Sequence, residues 1–248
     1  MWGIIPAAGA GSRIQPLAFS KELLPVGSRK EGPDERPRAV SEYLLDRMLR
    51  AGATKICFII SPGKSDILEY YGGSIGQASI CYVVQPEPLG LCDSIFRALP
   101  LVGPGEHVLV GLPDTIWFPE DGFNSLGEDG LSFLLFPVDS PEYFDAVVLD
   151  EAGGVVEVQV KRKRASTNWV WGSFKLSGSV LAEIYGLWLA RGKEDEYIGT
   201  LVNAYLESGG RAVGVKGGRS YVDVGTINGY REAMRLLGSP GETMDGKR

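Results

Sequence analysis

Short apolar runs alternate with longer amphipathic stretches through the first half of this chain, and that rhythm constrains the fold more than any other feature. Trp2 to Ala7 reads as a buried strand. Val40 to Ala51 reads as a helix with Leu44, Leu45, Met48 and Leu49 on one face and Ser41 as its N-cap. Strands at Lys55 to Ser61, Ser79 to Val84 and His107 to Leu112, with helices at Lys64 to Tyr71 and Leu91 to Leu99, continue the pattern. Such a βαβ succession with right-handed crossovers predicts an α/β, doubly wound, Rossmann-like sheet, mixed but mostly parallel.

After Asp114 the rhythm changes. Leu131 to Val138, Ala146 to Asp150 and Val155 to Lys161 are strand-like with little helix between them, so the second half is expected to add antiparallel strands to the same sheet. Glu151-Ala152-Gly153-Gly154 has the composition of a hairpin turn. Helices follow at Ser179 to Arg191 and Tyr197 to Ser208, then a strand near Ala212 to Val215 and a helix at Ile227 to Leu237. Residues 1–237 are read as one domain, and Gly238 to Arg248 as a frayed tail. Ser28 to Arg38 shows no periodicity and is expected to be a mobile loop.

Charge narrows the partners. Lys and Arg number 25 against 31 Asp and Glu, a net charge of −6, so the chain has no general electrostatic affinity for nucleic acid or an anionic membrane. No apolar stretch reaches the length of a membrane span, and the N-terminus lacks a secretory pattern. Cys57, Cys81 and Cys92 are odd in number and form no C-x-x-C pair, which fits a reducing, cytoplasmic compartment. The single histidine, His107, reads as a strand-edge residue rather than a catalytic base.

The first strand runs into Ala7-Ala8-Gly9-Ala10-Gly11-Ser12-Arg13, where small residues let backbone N–H groups approach phosphate oxygens. The third glycine of a dinucleotide fingerprint is replaced by Ile14, and no P-loop pattern is present. What remains is a glycine loop followed closely by two cations, Arg13 and Lys21, suited to a triphosphate; a plain strand-to-helix turn with solvated cations is the competing reading. Asp114 lies just past an apolar strand, at the edge where doubly wound sheets place ligands. Asp223 ends a second strand and precedes a helix that Thr226 can cap. Two carboxylates at strand ends suit Mg²⁺, which takes one or two carboxylates and fills its octahedron with phosphate oxygens and water; for each aspartate taken alone an ordinary turn or N-cap role is the favoured reading.

The loop, with Pro16 and Ser20-Lys21-Glu22-Leu23-Leu24-Pro25-Val26, resembles the sugar nucleotidyltransferase family, in particular glucose-1-phosphate thymidylyltransferases and uridylyltransferases. Pro37-x-x-Val40, Ala51-Gly52, Gln85-Pro86-x-Pro88-x-Gly90-Leu91, Leu112-Pro113-Asp114-Thr115 and Val222-Asp223-Val224-Gly225-Thr226 follow in family order. The resemblance implies nucleotide contacts from Ala8, Gly9, Ala10, Gly11, Ser12 and Arg13, and base contacts from Gln85, Pro88, Gly90 and Leu91. It further implies Arg13, Lys21 and Asp114 as catalytic residues, Asp114 and Asp223 as Mg²⁺ ligands, Lys161 on the sugar phosphate, and Gly172 and the position of Asp145 in the rest of the substrate site.

The sugar half departs from the family pattern. Val160 stands where the family has a glutamate before Lys161, Asp145 where it has a glycine, and Trp171 where it has a small hydroxyl residue. Trp169 and Trp171 offer stacking surfaces or simple packing, Cys92 reads as packing, and Arg162, Lys163 and Arg164 as a solvated run. The expected activity is union of a nucleoside triphosphate with a sugar 1-phosphate, releasing pyrophosphate, with homo-oligomerisation left open. The alternatives are a regulatory relative that binds a nucleotide or NDP-sugar without turnover, and a transferase acting on a non-hexose phosphate such as phosphocholine.

Overall fold

Ile4 and Ile5 are neighbours on the first strand, yet each is fully buried in a different core, because successive strand side chains leave opposite faces of a sheet. That strand, β1 (Trp2–Pro6), lies at the centre of the molecule. The computed structural model describes residues 1–238; most of the expected tail therefore lies outside the described residues.

A hairpin, β2 (Pro25–Glu31) and β3 (Asp34–Ala39), leads into α1 (Val40–Arg50), β4 (Lys55–Ile60) and α2 (Ser65–Tyr71). The short β5 (Ser74–Ile75), then β6 (Ala78–Val84), α3 (Gly90–Phe96) and β7 (His107–Gly111) complete the first half. Next come β8 (Thr115–Phe118), β9 (Leu131–Pro137), β10 (Asp145–Leu149), β11 (Val155–Val160) and β12 (Trp169–Ser177). The chain closes with α4 (Gly178–Ala190), α5 (Ile198–Glu207), β13 (Ala212–Val215), β14 (Ser220–Asp223) and α6 (Ile227–Gly238).

The main sheet runs β11-β10-β12-β7-β1-β4-β6-β5, with β9 on the other edge of β12. Its centre, β7-β1-β4-β6, is parallel; β12 then runs antiparallel to β7 and β9, and β10 to β11. β13, which follows α4 and α5, pairs parallel with β9. Helices cover both faces. Leu44, Leu45 and Met48 of α1 pack on the Ile5 side, whereas Cys92 and Ile95 of α3, Leu181 and Trp188 of α4 and Leu201 of α5 pack on the Ile4 side.

Two expectations are corrected. Residues 28–38 form most of the β2–β3 hairpin rather than a mobile loop. Gly32, at φ +61°, takes the left-handed position of a two-residue turn between paired Glu31 and Asp34. The hairpin is exposed on both faces, so it carries no hydrophobic period. It is tied down at its base by Val26, buried with Tyr43, Val222 and Ala233, and by an Arg29–Glu42 ion pair to α1, while Arg36–Glu31 pairs across its own two strands. Ser41 is not the N-cap of α1. That position belongs to Ala39, whose N–H donates to Glu42 Oε1 at 3.3 Å, while the buried Ser41 hydroxyl donates to Glu22 O at 2.6 Å. His107 begins β7 as expected, its Nε2 3.3 Å from Glu128.

Candidate active site

The C-terminal end of β1 opens into the glycine loop. Ala7 N–H is still in the ladder, donating to Ile59 O at 2.7 Å, but among the described residues no backbone N–H from Ala8 to Arg13 donates to another protein group. These free donors, on a loop exposed at Gly9, Ala10 and Ser12, are available to an anion. Gly11 is needed at its position twice over: its φ is +68°, and a Cβ there would lie 2.9 Å from Lys21 Cδ. A 3₁₀ turn over Lys21–Leu23, not a regular helix, follows the loop, and it carries Lys21 across Gly11.

Asp114 follows β7 and immediately precedes β8, and Asp223 ends β14. The two meet because β14 pairs antiparallel with β8, setting Asp223 opposite Thr115, while Val224 N–H donates to Asp114 O at 2.8 Å. Each carboxylate holds one cation: Lys21 Nζ lies 2.5 Å from Asp114 Oδ2, and Arg13 Nη1 lies 2.9 Å from Asp223 Oδ2. Burial disfavours the Asp114 charge, but the adjacent Lys21 ammonium outweighs it and holds the carboxyl below its usual range. Burial likewise opposes the Lys21 charge, and Asp114 overcomes it, raising the lysine above its usual value.

Gly225 faces the gap between the carboxylates. A Cβ built on it would lie 2.8 Å from both Asp114 Oδ2 and Asp223 Oδ1, and 3.3 Å from Arg13 Nη2. Both oxygens therefore pack against Gly225, whose N–H donates to Asp223 Oδ1 at 2.8 Å, and they lie next to each other near the glycine loop. That donor set fits Mg²⁺, which prefers one or two carboxylates with phosphate and water. Among the described residues no group of three or more His, Cys, Asp or Glu converges, so no all-protein metal cage competes with this pair. Downstream, Thr226 caps α6 as expected, its Oγ1 accepting from Gly229 N–H at 3.0 Å.

A wide cleft of about 2450 Å³ joins these groups to the second half of the chain. Gly9, Arg13, Lys21, Leu91, Asp114 and Asp223 line it together with Asp145, Lys161, Trp171 and Tyr197. Ala8, Ala10, Gly11, Ser12, Gln85, Pro88 and Gly90 are not on its wall. Gln85 is buried and donates through Nε2 to Gly90 O at 3.2 Å and Asp93 Oδ2 at 2.7 Å, so it shapes the turn that presents Leu91. Gly90, at φ +88°, lets that turn press against Glu196, whose carbonyl accepts from Leu91 N–H at 2.9 Å. Cys92 is buried behind the turn, its thiol pushed up to about 12 by burial, which fits packing rather than reactivity.

On the other side, Lys161 sits at φ +42°, an unusual conformation for a residue with a Cβ, and its Nζ lies 4.4 Å from the Tyr197 ring centre. Asp145 stands directly opposite Val160 in the β10–β11 ladder. Opposed residues share a sheet face, so a carboxylate is present across the strand from the valine. Asp145 is 9% exposed; Oδ2 accepts from Trp171 Nε1 at 3.3 Å, and Oδ1 has no partner. Burial pushes this carboxyl above its usual range despite the opposing Trp171 hydrogen bond and Lys161 charge. Gly172 is not itself on the cleft wall but lies against one wall residue: a Cβ there would strike the ring of Tyr221, which lines the cleft, at 2.5 Å and that of Phe136 at 2.7 Å. Trp169 likewise stays off the cleft wall, beneath Lys216 Nζ at 5.3 Å, and Arg162 pairs with Glu157 on the exposed surface. Tyr197 and Arg219 line the cleft without any motif that marks them in the sequence; only the fold brings them there.

The chain matches the nucleotidyl transferase family over residues 2–239. It is 27% identical over 247 residues to a glucose-1-phosphate thymidylyltransferase of Neisseria meningitidis, covering 96% of this chain and 82% of that protein. A crystal structure from Bacillus anthracis, in complex with a sucrose, superposes with a TM-score of 0.78 at 25% identity, covering 99% of this chain and 97% of the other. A UTP-bound UGPase from Acinetobacter baumannii gives a TM-score of 0.76 over 98% of this chain and 95% of the other; at 19% identity it speaks for the fold alone. With the match spanning nearly all of the described fold, the chain belongs to the nucleotidyl transferase family.

Proposed function

We propose that this enzyme joins a nucleoside triphosphate to a sugar 1-phosphate, giving an NDP-sugar and pyrophosphate. The observation that carries the reading is the Asp114–Asp223 pair beside Gly225, which shares one cleft with Gly9, Arg13, Lys21 and Lys161. The glucose-1-phosphate activity of the Neisseria relative supports the substrate class.

An oxygen of the acceptor phosphate attacks the α-phosphorus in line. One P–O bond forms as the bond from the α-phosphorus to its bridging oxygen breaks, and pyrophosphate leaves with the electron pair. The attacking oxygen is already ionised at neutral pH, so positioning and charge neutralisation supply the rate. The glycine loop and Lys21 hold the triphosphate, Arg13 braces the departing pyrophosphate, and Lys161 holds the acceptor phosphate. Asp114 and Asp223 would hold Mg²⁺, which supplies Lewis-acid neutralisation of phosphoryl oxygens.

Asp145 reads the acceptor. Its unpartnered Oδ1 needs a hydrogen-bond donor. Competition among sugar 1-phosphates and other phosphorylated alcohols tests this: the preferred acceptor differs from glucose 1-phosphate in its hydroxyl pattern, and Asp145→Gly changes the ranking. A preference for glucose 1-phosphate that is unchanged in Asp145→Gly removes Asp145 from the acceptor site. The activity itself is tested by chromatography of the product formed with each nucleoside triphosphate against that acceptor panel. An NDP-sugar that requires both substrates supports the reading. Nucleotide binding without product across the whole panel refutes it and favours the non-catalytic alternative.

A further inference from the structure

Glu22 and Lys64 are buried titratable residues that the reaction above does not use. Glu22 is 1% exposed and Lys64 7%, and Lys64 Nζ donates to both Glu22 carboxylate oxygens at 2.8 Å. The same ammonium donates to Ala7 O at 2.6 Å, at the point where β1 becomes the glycine loop. One buried cation therefore joins the first residue of the loop to the turn that carries Lys21.

The next turn of the same segment grips the other side of that turn. Asp66, at the start of α2, accepts from Ser20 N–H through Oδ2 and from Ser20 Oγ through Oδ1, both at 2.6 Å. Ser41 of α1 donates to Glu22 O at 2.6 Å. Lys21 is thus the one residue of Ser20-Lys21-Glu22 whose side chain leaves the clamp, and it crosses Gly11 to reach Asp114. Replacing a buried ion pair with apolar residues of similar volume is often neutral or stabilising, so stability alone does not account for this pair.

We propose that Lys64 and Glu22 are positioning residues that lock the glycine loop and Lys21 into a single triphosphate-binding geometry. Neither needs to touch the substrate. The idea rests on the functional reading above, but one of its tests is binding and does not require turnover.

The decisive variant is Glu22→Leu combined with Lys64→Met, which keeps an apolar filling and removes the clamp. Thermal melting, Kd for UTP and dTTP by calorimetry, and kcat and acceptor KM are measured beside the unmodified enzyme. The expected result is a melting temperature within a few degrees of the unmodified enzyme and at least 10-fold weaker binding of whichever triphosphate that enzyme prefers. The kcat is expected to fall by about 10- to 100-fold with acceptor KM unchanged, on the scale of roughly 10²-fold for a 1 Å misplacement. Unchanged triphosphate binding and kcat in the folded variant overturn the proposal. If the apolar pair does not fold, Glu22→Gln with Lys64→Gln is read by the same criterion; a glutamine side chain is one atom too short to span the oxygens that Lys64 bridges. If the unmodified enzyme binds triphosphate but makes no product, the functional reading fails while the binding comparison still decides the clamp.

Discussion

Gly225→Ala is the smallest change that reaches the centre of the proposed chemistry. The added methyl would lie 2.8 Å from one oxygen of Asp114 and one of Asp223, where ordinary contact begins at 3.4 Å, so each carboxylate must retreat by about 0.6 Å. Gly225 is not in the left-handed region, so alanine brings no backbone strain. The clashing atoms are the ends of side chains that border the cleft, and fewer unfolded conformations favour alanine by roughly 0.4–1 kcal/mol. Stability should therefore stay within about 1 kcal/mol of the unmodified protein. Activity should not. With about 10²-fold lost per ångström of misplacement, retreat of both carboxylates is expected to lower kcat/KM by about 10- to 100-fold. Pyrophosphate release under saturating Mg²⁺ measures the loss, with Gly127→Ala as control because a Cβ at Gly127 meets nothing within 4 Å. A folded Gly225→Ala enzyme with unchanged kcat/KM refutes the assignment of that gap to the reacting phosphates.

Three further outcomes follow from the same geometry. Arg13→Ala removes a largely exposed guanidinium paired with Asp223, and kcat is expected to fall by about 10²-fold with little change in nucleotide binding; weakened binding at normal kcat makes Arg13 only a clamp. The stability from the depressed Asp114 is present above the ordinary carboxylate range and lost as pH falls through its lowered value, while that from the raised Lys21 is lost only as pH rises through its raised value. Lys21→Met leaves the buried Asp114 unpaired, so urea melts should show a loss on the order of 3 kcal/mol at neutral pH and acid unfolding at higher pH; an unchanged acid profile contradicts the pairing. Gly172→Ala overpacks the Tyr221 and Phe136 rings and should cost about 1–3 kcal/mol in a denaturant melt with acceptor KM unaltered, whereas a stable variant with raised KM returns Gly172 to the acceptor site.

What the sequence revealed depended on local pattern. The parallel centre was legible because Trp2–Pro6, Lys55–Ile60 and His107–Gly111 are compact apolar runs between amphipathic helices. Asp114 and Asp223 were legible as strand-end carboxylates, but their convergence depends on the β8–β14 ladder, which pairs segments about a hundred residues apart and leaves no periodic trace. The Gly32 hairpin was missed because both its faces are solvated, so its strands have no apolar alternation. The packing that requires a glycine at 172 was not legible, because Phe136 and Tyr221, whose rings a Cβ there would strike, are distant in sequence. The pairing of Glu22 with Lys64 has no local signature, since the two lie about forty residues apart and only the fold buries them together.

The central claim is that Asp114 and Asp223 serve transfer between two substrates and not nucleotide binding alone. The most direct measurement is stoichiometric pyrophosphate release with the preferred triphosphate and acceptor, in the unmodified enzyme and in Asp114→Asn and Asp223→Asn variants confirmed as folded. The account predicts one pyrophosphate per NDP-sugar, release that requires both substrates and Mg²⁺, and loss of about 10²-fold or more in each variant. Near-normal Mg²⁺-dependent release from either variant, or release that proceeds without acceptor, would contradict it.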